Sequence, residues 1–128
     1  MNNNYKELNQ QNINNMKRIN QKIAQLDDII RRLANYKRQG KLAPNKVQEY
    51  EQNISYIISE LKNIFQKSKF ISLNIDLSNK FMDLLMLWDS YKKGLEIKSR
   101  EEEEMEANNL LNNIMAQHNN ETYGTGRK

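Results

Sequence analysis

The chain is predicted to be an all-α protein built on a long antiparallel helical hairpin, and three observations carry that prediction. Turn-forming residues are scarce, with one Pro and four Gly among 128 residues, which leaves little of the chemistry a sheet of short strands needs. Two segments repeat apolar residues at heptad spacing. Those two repeats are also mirror images of each other about a single glycine. Leu, Ile, Val and Phe together supply 30 of 128 residues, above the level of about 20% that marks a disordered chain, so a modest core can form.

The first repeat runs through Met16, Ile19, Ile23, Leu26, Ile30 and Leu33, in steps of 3, 4, 3, 4, 3. The second runs through Val47, Tyr50, Ile54, Ile57, Leu61 and Ile64 with the same steps. Each seam is about 25 Å long at about 1.5 Å of rise per residue. Between them lies Arg38-Gln39-Gly40-Lys41-Leu42-Ala43-Pro44, where Gly40 suits a left-handed cap and Pro44 a first helical turn. Facing positions sum to 80, from Leu33 with Val47 to Met16 with Ile64, the registry an antiparallel pair requires. Residues 12–67 are therefore assigned to the hairpin. Ile29 and Tyr36 flank the first seam on one side, while Ile58 and Phe65 flank the second on its other side, so the hairpin has two apolar grooves. A third helix can cover one and leave the other.

That third helix is expected over 78–116, with Ser78 as its N-cap and a weak point at Gly94. Leu77, Phe81, Leu84, Trp88, Tyr91 and Leu95 form its stripe, but Phe81–Trp88 is apolar at seven of eight positions, which implies burial on more than one side. Residues 68–77, where Ile71, Leu73, Ile75 and Leu77 alternate with polar residues, have strand periodicity; they are read as an extended connector, or else as a strand pairing with another chain. Residues 1–11 and 117–128 are expected to be mobile tails.

Several function classes find no support. With no Cys there can be no disulfide, thiolate metal site or Cys nucleophile. The lone His118 sits among Asn residues with no partner to orient it, so no catalytic residue and no metal ligand is assigned. Gly124-Thr125-Gly126 lacks the remaining glycines and the Lys-Ser/Thr end of a phosphate loop, and Glu101–Glu104 lacks the loop geometry of a calcium site. No cofactor or small-molecule substrate is expected. No apolar run is long enough to span a bilayer and no apolar leader segment is present, so an intracellular chain without membrane contact is expected, in cytoplasm or nucleus alike.

Two binding readings remain. The first is a non-catalytic helical subunit that docks into a larger assembly, or associates with itself, through Phe81, Met82, Leu84, Leu85, Met86, Leu87, Trp88, Tyr91 and Leu95, since Trp and Met are enriched at interfaces. Trp88 and Tyr91 are its candidate anchors. The alternative is an accessory subunit of a nucleic-acid-modifying complex. The segment from Met16 to Lys46 carries nine Lys/Arg against Asp27 and Asp28, and Arg31, Arg32, Lys37, Arg38 and Lys41 near the hairpin tip are its candidate phosphate contacts.

Overall fold

The computed structural model describes the backbone of residues 2–126 and the side chains of residues 10–117; most of the two expected tails, with His118, lies outside the described side chains. The protein is all-α. Its helices are α1 (Asn2–Arg38), α2 (Pro44–Lys67), α3 (Lys69–Ser72), α4 (Ile75–Lys92) and α5 (Arg100–Gly126). They divide into two units, residues 1–97 and residues 98–128.

In the first unit α1 ends as its sequence requires. Gly40 takes φ +67°, its N–H reaches the carbonyl of Lys37 at 3.1 Å, and the N–H of Lys41 reaches that of Tyr36 at 2.9 Å. This pair of bonds is the Schellman closure that a left-handed glycine permits. Pro44 then opens α2, its fixed φ suited to a first helical turn and its missing N–H costing nothing there. The two helices run antiparallel: Ile19 lies beside Leu61 at one end of the hairpin, and Leu33 beside Tyr50 at the other.

α4 runs back alongside both. Lys80 Nζ donates to Asn20 Oδ1 at 3.2 Å, and the Lys37 ammonium sits 5.3 Å from the Tyr91 ring centre, so α4 is parallel to α1. The Phe65 and Phe81 rings stack at 4.6 Å and 4°, and Tyr91 Oη donates to Glu51 Oε1 at 2.9 Å, so α4 is antiparallel to α2. The result is an up-down-up bundle of three helices. Its core is Ile19, Ile23, Leu26, Ile30 and Leu33 from α1, Val47, Ile54, Ile58 and Leu61 from α2, and Leu77, Phe81, Leu84, Trp88 and Tyr91 from α4, closed by Ile71 and Ile97.

Three local expectations change. The connector is helical rather than extended. Ser68 Oγ accepts from the N–H of Ile71 to start α3, and Asn74 Oδ1 accepts from the N–H of Leu77 at 2.9 Å to start α4. Asn74, not Ser78, is thus the N-cap; Ser78 lies inside α4 and donates to the carbonyl of Ser72. The alternation of Ile71, Leu73, Ile75 and Leu77 does not mark two faces of a strand, because Ile71 and Leu77 are buried while Leu73 and Ile75 are more than three-quarters exposed.

The helix expected over 78–116 is two helices. Gly94, at φ +71°, repeats the closure seen at Gly40: its N–H meets the carbonyl of Tyr91, and that of Leu95 meets the carbonyl of Ser90, both at 3.0 Å. The chain leaves the helix there, which turns Leu95 outward and brings Ile97 into the core in its place.

The second seam is also rotated. Val47, Ile54 and Leu61 are buried as expected and Ile58 joins them, whereas Tyr50 and Ile64 are exposed and Ile57 is half-buried. A helix with two neighbours buries a wider arc than one with a single neighbour, and α4 draws the α2 interior toward Ile58 and Phe65.

In the second unit, Ser99 caps α5, its Oγ accepting from the N–H of Glu102 at 3.1 Å. Glu101, Glu102 and Glu103 occupy the first turn, where the helix dipole favours negative charge.

Candidate helix-docking groove

Most of the nine residues expected to dock a partner are packed inside the chain. Of these nine, Phe81, Leu84, Trp88 and Tyr91 are core, and Leu85 and Leu87 are half-buried against that core. Only Met82, Met86 and Leu95 are exposed. The two proposed anchors serve the interior instead: the Trp88 and Tyr91 rings stack at 5.2 Å and 7°. Burial raises the Tyr91 hydroxyl pKa well above the usual tyrosine value, and its hydrogen bond to Glu51 raises it further. The surplus apolar surface of α4 is spent inside the chain, filling the Ile58/Phe65 groove of the hairpin.

The five candidate phosphate contacts do not converge. Arg31 Nε bonds Asp27 at 2.9 Å on the α4 side of α1. Arg32 Nε bonds Asp28 at 3.0 Å about a quarter-turn away. Lys37 lies 3.7 Å from Glu51, and Arg38 donates to Asn35 at 3.0 Å. Lys37 and Arg38 also border a shallow cleft with Tyr91 and the Gly94–Ile97 segment, while Lys41 is exposed in the loop. These ion pairs neutralise much of the local charge, and their members point in several directions.

The hairpin's other groove is where unpartnered apolar surface does gather. On the side away from α4, Ile29, Tyr36 and Tyr50 are 41%, 40% and 46% exposed. They surround a depression of about 260 Å³ with Arg32, Leu33 and Leu42. Farther along the same side, Ile57 and Ile64 border a second depression with Arg18, Lys22 and Glu60. Tyr50, Ile57 and Ile64 are spaced by seven on α2, and Lys22, Ile29 and Tyr36 by seven on α1, so each set forms a straight row along its helix. The groove is an apolar trough between two helices, bordered by Arg18, Lys22 and Glu60 at its Ile64 end and by Arg32 at its Tyr36 end.

The heptad pattern identified both grooves but not which one α4 would fill. Among the described residues, no group of His, Asp and Glu side chains could hold a metal ion, and no buried polar side-chain atom lacks a hydrogen-bond partner. No helix among them is long and apolar enough to cross a membrane. Comparison with protein-family models, with curated proteins and with solved structures gave no match.

Proposed function

We propose that this chain is a non-catalytic helical adaptor that receives an amphipathic helix in the open groove between α1 and α2. The observation that carries the reading is the continuous row of partly exposed Ile29, Tyr36, Tyr50 and Ile64 along the side of the hairpin that α4 leaves open. α4 buries one side of the hairpin, and a further helix would bury the other in the manner of a four-helix bundle. Aromatic side chains such as Tyr36 and Tyr50 provide large contact area at low cost in conformational entropy. Arg18 and Lys22, which outnumber Glu60 at one end of the groove, favour a partner helix whose polar face is acidic.

The test uses two fluorescently labelled 21-residue helical peptides of the same Leu pattern, one with Glu and one with Lys at its polar positions, titrated with the full chain. The Glu peptide is expected to bind, and the Lys peptide to bind at least about tenfold more weakly, a difference of about 1.4 kcal/mol. The double variant Ile29→Asp/Tyr50→Asp should lose the binding while keeping its helical spectrum. Equal binding of both peptides would overturn the preference for an acidic partner, and binding that survives in the double variant would show that this groove is not the docking face.

A further inference from the structure

Resting on that reading, we infer that the groove's occupant is α5 of a second copy of this chain. α5 carries Ala107, Leu110, Leu111, Ile114 and Met115 on one face at helical spacing. Leu110, Leu111, Ile114 and Met115 are each more than half exposed, as is Met105. No buried side chain occurs among the described residues of the second unit. A helix of this kind draws little stability from propensity alone and gains it by burying its apolar face against a neighbour.

Charge selects the groove as that neighbour. α5 opens on Glu101–Glu104, and at the groove's Ile64 end the two cations Arg18 and Lys22 outnumber the single acid Glu60. Seating the acidic turns beside those two cations sets the direction: α5 runs parallel to the receiving α1 and antiparallel to its α2. The lengths agree. From Arg18 to Tyr36 α1 rises about 27 Å, and from Glu101 to Met115 α5 rises about 21 Å. In this register Leu110 falls opposite Ile29, Leu111 is level with Tyr50, and Ile114 is level with Val47 beyond it. Opposite-charge pairing of this kind sets the partner and its orientation more than it adds affinity.

The experiment is light-scattering mass after size exclusion on the full chain, joined to cysteine cross-linking, which the absence of native Cys makes clean. The expected mass is twice 15.2 kDa. Leu111→Asp/Ile114→Asp should return it to that of one chain, with the helical spectrum of the first unit kept and its Tm no longer dependent on concentration. Arg18→Glu/Lys22→Glu, which alters only exposed side chains, should shift the equilibrium toward monomer and reverse its salt dependence, added salt now favouring the dimer. An equimolar mixture of Ile29→Cys and Leu110→Cys chains should form disulfide-linked heterodimers under mild oxidation, since the bond needs Cα atoms about 4.4–6.8 Å apart.

A full chain that is monomeric overturns the inference, whatever the peptides do. A dimer that persists in Leu111→Asp/Ile114→Asp overturns α5 as the occupant. If Ile29→Asp/Tyr50→Asp dissociates that same dimer, the groove reading stands alone; if it does not, both fail.

Discussion

Leu26→Asp is expected to abolish the cooperative unfolding of residues 1–97. Leu26 is 1% exposed and faces α2 and α4 from the middle of α1. Truncating such a leucine to Ala costs about 2–5 kcal/mol, and a carboxylate placed there has no cation to meet and either carries an unpaired buried charge or binds a proton to avoid it. Against a total stability of about 5–15 kcal/mol for a domain, the sum removes most or all of the folded population. Leu84→Asp, equally buried on α4, should do the same, which makes it a folding variant and unsuitable as a probe of docking. Circular dichroism during heating checks both: a sharp transition in the parent chain, and a low, gradual one in either variant. Retention of the parent's transition by Leu26→Asp would contradict the heptad seam on which the whole bundle is built.

Trp88→Ala is the second large effect. Trp88 is buried, stacks on Tyr91, and lies beneath the ammonium of Lys92 at 5.9 Å from its ring. Its loss should cost about 3–5 kcal/mol, lowering Tm by at least about 12 °C for a domain of this size. Met86→Ala, two residues earlier on the exposed face of the same helix, should stay within about 0.5 kcal/mol of the parent. Thermal unfolding of the pair separates a core helix from a docking helix. Comparable, small losses from both would mean that α4 presents its aromatic face to something other than α1 and α2.

Much of this architecture is legible in the residues. The two heptad repeats and their mirror registry about Gly40 define α1, the loop and α2, and the flanking positions define two grooves on opposite sides. What periodicity alone does not decide is which groove the third helix enters. Phe81–Trp88 is apolar nearly all round, so it could equally feed an interior or an interface. Here the interior takes Phe81, Leu84, Trp88 and Tyr91, and the stacking of Phe65 on Phe81 fixes the Ile58/Phe65 side as the filled one.

The local departures from the sequence pattern have physical sources. Gly94 has the same role as Gly40, but with no Pro or polar loop after it the acidic run reads as a continuing helix. The alternation from Ile71 to Leu77 mimics a strand because two short helical turns, joined at Leu73 and Asn74, happen to place apolar residues at every second position. Asn74 is an ordinary capping residue, but Ser78 sits closer to the conspicuous apolar run. The basic tip looked like a phosphate cluster because sequence shows charge without pairing. Asp27, Asp28 and Glu51 meet Arg31, Arg32 and Lys37 only once the helices are built.

α4 completes the core of its own chain and leaves the opposite side of the hairpin uncovered. The single tryptophan tests this packing without any substitution. Trp88 fluorescence should be blue-shifted and shielded from soluble quenchers, and it should stay so as the protein is diluted from conditions of association to those of a monomer. An emission that shifts to the red and becomes quenchable on dilution would put Trp88 at an interface between chains and contradict the account.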